Sequence, residues 1–198
     1  MKALHLFKKG VQKTGVKMKD VRIEWDGSYK LKDIGYDQKT DKYNIKNAKL
    51  NNESVDFGIY QIYGFHPVYG DNVLLYIGKA NNQTFAKRIS QENWSENADS
   101  KNIQIYVGRL FAAKQPSYSE WETLINIAEK MLIYAHAPAM NSSNILNISK
   151  NKDFLKEFED IRIFNYDKCR SLMPEVSGEL WIKDFEDYTG VFNANEIE

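Results

Sequence analysis

Two β-prone runs, set close together, limit the fold of this chain more than any other feature. Phe57-Gly58-Ile59-Tyr60-Gln61-Ile62-Tyr63-Gly64 and Val73-Leu74-Leu75-Tyr76-Ile77-Gly78 are rich in β-branched and aromatic residues. The segment between them, Phe65 to Asn72, is rich in turn formers. A connection this short leaves no room for the crossover that a parallel pair requires. The runs therefore predict an antiparallel hairpin with a long connection, and they argue against a doubly wound parallel sheet.

The remaining chain supplies partners. Residues 83–92 have helical spacing, with Phe85 and Ile89 four apart, and Ile103–Gly108 reads as a third strand. Pro116 precedes two possible capping boxes, Ser117 with Glu120 and Ser119 with Glu122. Trp121, Leu124, Ile125, Ala128, Leu132 and Ala135 then recur at helical intervals, and Pro138 predicts an end at or before Ala137. Before this core, Val21–Trp25 alternates with period two and ends at Asp26-Gly27, a strand and turn, and residues 28–53 read as irregular. After it, residues 153–160 suggest a short acidic helix, Ile161–Phe164 a strand, and 178–188 a closing element. These readings divide the chain into a basic extension with one strand over 1–53, a core over 54–150, and an acidic extension packed on it over 151–198.

Charge sharpens this division. The 27 basic and 27 acidic residues cancel, and a neutral total argues against a nucleic-acid partner. The sum conceals a gradient: +7 over residues 1–50, −1 over 51–150 and −6 over 151–198. Such a gradient predicts that the N-terminal lysines face the functional site and the acidic tail lies away from it. The single cysteine, Cys169, excludes an internal disulfide and fits a reducing, cytoplasmic setting. No run approaches the roughly 18 apolar residues of a membrane span, so no membrane partner is expected.

Several chemistries lack their residues. There is no Gly-rich phosphate loop, no CxxC, no HExxH and no serine elbow. His5, His66 and His136 are widely spaced and give no zinc cluster with one cysteine. Hydrolysis by this chain would have to use Tyr, Lys, Arg and carboxylates, which suit phosphate chemistry.

Four features stand in order. Gly58-Ile59-Tyr60 lies on the first core strand, and Tyr76-Ile77-Gly78-Lys79 ends the second. Arg88 lies in the next helix, and Glu129 lies mid-way along the capped helix with Pro138 nine and Asn141 twelve residues later. This pattern resembles the GIY-YIG nuclease superfamily over roughly residues 56–145. The resemblance implies an α/β fold of the α+β type: a small central three-stranded antiparallel sheet flanked by helices, here with N- and C-terminal extensions. It also implies an endonuclease that hydrolyses DNA phosphodiester bonds with Mg²⁺ or Mn²⁺. Tyr60, Tyr76, Lys79, Arg88, Glu129 and Asn141 are then the site residues. The matching glutamate, Glu129, would be the single protein ligand of the metal, and Asn141 would hold the site together.

The residue types suit those roles. Arg88 offers a planar fork for phosphate. A tyrosine acting as a base near neutral pH must have its pKa lowered by roughly 3 units, about 4 kcal/mol. Lys79, Arg88 or a bound metal are the cations able to do that, and either Tyr60 or Tyr76 is a candidate base. One position departs from the pattern: where family members often carry Tyr or His one turn after the arginine, this chain has Glu92. Glu92 then either joins the metal site or faces solvent. Restriction-type, repair-type and mobile-element enzymes share this pattern, and a restriction-type enzyme would act as a homodimer on a palindrome. The alternatives are a catalytically inactive DNA-binding module and an interaction protein without a nucleic-acid role.

Overall fold

The computed structural model describes residues 19–97, 99–111, 117–144 and 158–179. Its main sheet has six strands. The strands are β1 (Lys19–Tyr29), β4 (Gly58–His66), β5 (Gly70–Ala80), β6 (Gln104–Phe111), β7 (Ile161–Asp167) and β8 (Glu175–Ser177). They lie in the order β5-β4-β6-β1-β7-β8. A two-stranded sheet of β2 (Tyr36–Asp37) and β3 (Lys42–Tyr43) stands apart. The α-helices of the described residues are α1 (Phe85–Ile89) and α2 (Tyr118–His136).

This overturns the expected small three-stranded sheet flanked by helices. The antiparallel trio β5-β4-β6 is present, but it is half of a larger mixed sheet. β1 pairs antiparallel with β6, Trp25 facing Gly108, and β7 runs parallel to β1, Val21 facing Ile163. The physical reason is local. Val21, Ile23 and Trp25 are buried while Arg22 and Glu24 are exposed. A strand with one apolar face needs backbone partners and a cover for that face, and the outer edge of β6 offers the partners.

The hairpin is also tighter than expected. Its strands extend to His66 and resume at Gly70, leaving Pro67-Val68-Tyr69 as the loop. Register shifts at Ile62/Tyr63 and Gly64/His66 absorb the additional residues as irregularities within the ladder. The helix expected over 83–92 contracts to α1, with Thr84 as its N-cap. Of the acidic helix expected at 153–160, residues 158–160 form a turn and the rest lies outside the described residues, as does nearly all of 178–188.

α2 follows its sequence signals closely. Of the two possible capping boxes, Ser117 with Glu120 forms: the Glu120 carboxylate accepts from the Ser117 backbone N–H at 2.8 Å. Ala137 adopts the left-handed conformation at the other end, φ 41°, directly before Pro138.

Each face of the sheet has its own core. On one, Ile23, Trp25, Ile59, Tyr63 and Ile77 pack with Ile125, Ala128 and Leu132 of α2 and with Phe158 and Ile163. On the other, Tyr60, Ile62, Ile105 and Val107 pack with Phe85 and Ile89 of α1, Trp94, and Leu31, Ile34 and Leu50. The segment 31–50 therefore covers the face that carries Tyr60. The segment 158–176 contributes its buried apolar residues to the opposite face. No helix among the described residues is long and apolar enough to cross a membrane.

Candidate active site

Strand pairing decides where the motif side chains go. Tyr60 faces Gly78 and Ile62 faces Tyr76 across β4 and β5, so both motif tyrosines project from the α1 face. Lys79 pairs with Ile59 and projects from the α2 face. The glycines permit this arrangement. A Cβ on Gly78 would sit 2.5 Å from the Tyr60 hydroxyl and 2.6 Å from the Tyr76 ring. Gly58 has φ 142°, and a Cβ there would stand 2.2 Å from the Gly108 carbonyl oxygen.

On the α1 face, the hub is Glu92. Its carboxylate accepts from the Tyr60 hydroxyl at 2.9 Å, from Arg88 at 2.9 Å and from the Trp94 indole N–H at 2.7 Å. Glu92, the departure from the family pattern, is therefore not a solvated side chain but the shared acceptor of three donors. The available signal was the Arg88–Glu92 spacing of four, the ordinary helical ion-pair distance. Tyr76 completes the group: its ring lies 6.1 Å from that of Tyr60 and 5.6 Å from that of Trp94. Tyr60 is fully buried, whereas Tyr76 lines an open cleft of about 370 Å³ with Glu92, Trp94 and Met140.

On the α2 face, Lys79 donates to Glu129 at 2.7 Å. β5, which carries both Tyr76 and Lys79, is the edge strand, and the two groups lie on its opposite faces. Tyr76 links them electrostatically. Burial raises its pKa most, the Glu92 and Glu129 carboxylates add to this, and Arg88 opposes it. Tyr60 is raised more strongly, by burial first and then by Glu92 and Tyr76, again against Arg88. Burial disfavours the Arg88 cation, but the two phenols and Glu92 outweigh that and raise its pKa. Both phenols are thus raised, because burial penalises a phenolate by more than Arg88 relieves it.

Asn141 does not join either group. Its side-chain amide accepts from the Ile77 N–H and donates to the Ile77 carbonyl, both at 2.9 Å. Ala139 and Met140 donate backbone N–H groups to the Leu74 and Leu75 carbonyls. Residues 139–141 thus cap the outer edge of β5 and fix the backbone between Tyr76 and Gly78.

Among the described residues no three His, Cys, Asp or Glu side chains come together as a metal cage. The donor chemistry that remains, one half-buried carboxylate on Glu129, fits a hard cation that keeps most of its waters. Compared with known families, curated proteins and solved structures, the chain matches none.

Proposed function

We propose that the chain is a divalent-metal-dependent DNA endonuclease with a GIY-YIG-type site. One observation carries the reading: one hairpin holds Tyr60 and Tyr76 with the Arg88–Glu92 pair on one face and the Lys79–Glu129 pair on the other, and the Glu129 charge still acts on the Tyr76 phenol. A structural ion pair needs none of the tyrosines, and a packed tyrosine pair needs neither cation.

Phosphodiester hydrolysis needs a positioned water, charge neutralisation on the phosphoryl oxygens and an outlet for protons. Arg88 supplies the fork for a phosphate oxygen, and it must release Glu92 to do so. Lys79 holds the Glu129 carboxylate in place, and that carboxylate would be the oxygen ligand for Mg²⁺ or Mn²⁺. A bound metal would neutralise charge on the scissile phosphate and acidify a coordinated water. Tyr76 is the phenol that reaches substrate, because it lines the cleft. Tyr60 is fully buried and bonded to Glu92, so it positions that carboxylate and Arg88 rather than touching the reacting atoms. Sequence specificity in a restriction-type enzyme would come with a homodimer on a palindromic site.

The inactive DNA-binding module remains the second reading, favoured by Glu92 itself, which occupies the fork that phosphate would use. Incubating plasmid DNA with Mg²⁺ or Mn²⁺ separates the two. The nuclease reading expects cutting by the wild type and loss of it in Glu129→Gln. Salt-dependent binding with no cutting under either metal would establish the module instead.

A further inference from the structure

We propose that a second cavity, beside the Lys79–Glu129 pair, receives one nucleobase of the DNA strand being cut; this rests on the nuclease reading above. The cavity has a volume of about 390 Å³ and lies between the loop that follows β5 and the first turns of α2. Its position ties it to the site. Asn81 and Asn82 lie two and three residues after Lys79, and Glu122 and Ile125 lie on α2 ahead of Glu129. Seven residues of helix span roughly 10 Å, a distance of a few nucleotide steps at a rise of about 3.4 Å each.

The lining selects a flat, uncharged heterocycle. Trp121 meets Phe57 edge to face, with centroids 6.3 Å apart and planes at 81°, and forms an aromatic wall. Tyr118 donates its hydroxyl to the Asn82 side-chain oxygen at 2.5 Å, which orients that amide. Asn81 donates to Glu122 at 3.4 Å. Amides and carboxylates are the side chains that read base edges, carboxylates accepting from exocyclic amino groups. The charge balance excludes the phosphate as the occupant. Glu53, Asp56 and Glu122 line the cavity against a single cation, Lys87. Asp56 is neutralised by Arg109 at 2.7 Å, which leaves a surplus of carboxylate. An anion is repelled from such a cavity, while a neutral base bearing an amino donor is attracted. Phosphate binding thus falls to Arg88 and base binding to this cavity, so the two halves of a nucleotide go to chemically opposite sites.

Deoxynucleosides, which carry no phosphate, test the cavity without the cleavage chemistry. Titrated against the full chain and followed by tryptophan fluorescence, deoxyadenosine, deoxycytidine or deoxyguanosine should give saturable quenching. Thymidine, which lacks an exocyclic amino group, should bind weakest. Trp121→Phe should remove most of the signal, and Glu122→Gln should weaken the best ligand about tenfold, as expected for one lost base contact. Quenching by none of the four, thymidine binding as tightly as the others, or Glu122→Gln binding like wild type would each overturn the proposal. Failure of the nuclease reading looks different: the wild type would cut no DNA, yet deoxynucleosides would still bind. Conversely, cutting that is lost in Glu129→Gln, without deoxynucleoside binding, would retain the nuclease and remove the base cavity.

Discussion

Single residues show why this site is built from tyrosines that stay protonated at rest. The Tyr60 proton lies on a hydrogen bond to Glu92, and the Tyr76 phenol is raised by burial and two carboxylates. Both groups are neutral at pH 7, and the phenolate becomes accessible only as pH climbs. If Tyr76 acts as the general base, its reactive form is the phenolate, so the cleavage rate should rise toward alkaline pH, and Tyr76→Phe should abolish that slope. Tyr60→Phe should lower the rate, since Arg88 and Glu92 lose a partner, but should keep the slope. A pH–rate profile of both variants checks this. Gly78 makes a second prediction. Gly78→Ala places a methyl group 2.5 Å from the Tyr60 hydroxyl, inside a packed layer. Overpacking of this kind should cost about 1–3 kcal/mol in urea denaturation, with a larger loss of activity because both tyrosines must shift. The glycine of the motif was legible from the chain, but the ring it makes room for was not, because that depends on which residue faces Gly78 across the ladder.

Elements explain how the site is held. α2 was the most legible of them: Ser117, Glu120, the apolar stripe and Pro138 are local signals, and local geometry satisfies them. Its far end also carries a titratable tie. His136 accepts from the Met173 backbone N–H at 2.8 Å through Nε2, while its Nδ1 lies 2.8 Å from the Leu132 carbonyl. That geometry requires the neutral ring, and burial lowers its pKa below the usual 6.5. The unfolded chain then binds the extra proton first, so stability is complete above about pH 6.5 and declines as pH falls below it. His136→Gln should flatten this decline, as thermal unfolding between pH 5 and 7.5 would show (a range chosen about the ordinary His value). The edge of β5 supplies a third prediction. Asn141 satisfies both backbone groups of buried Ile77. Asn141→Leu would leave a buried N–H and C=O without those partners, at about 1–3 kcal/mol each. Destabilisation in urea should come with loss of cutting, whereas Ser117→Ala should cost about 1 kcal/mol and leave cutting intact. The tightened hairpin and shortened α1 were not legible, since bulges depend on what the neighbouring strand demands.

At the scale of the whole molecule, both flanking segments are built into the sheet. β1, from the basic end, joins β6 to β7, from the acidic end, so neither flank can leave without exposing an apolar face. Ile163→Ala, far from the motif residues, should therefore cost about 2–5 kcal/mol, and urea unfolding should remain a single transition by fluorescence and circular dichroism. Two separate transitions would mean that the antiparallel trio folds without its neighbours. Of the charge gradient, the lysines before residue 19 and the acidic residues after 179 lie outside the described residues. The segment 31–50 packs on the face that carries Tyr60, and 158–176 packs on the other. Glu129 sits on the second face, paired with Lys79 of β5. By itself the sequence determined the hairpin, the capped helix, the period-two strands and the motif order, because these follow from residue conformation and spacing along a few turns of chain. Only the tertiary structure decided that six strands form one sheet, that Glu92 also binds Tyr60, and that both tyrosines are raised rather than lowered. Those outcomes depend on which strand edges meet, which side chains share a buried space and how far water is excluded from them. Pairing and burial join residues distant in sequence, so no local pattern encodes them.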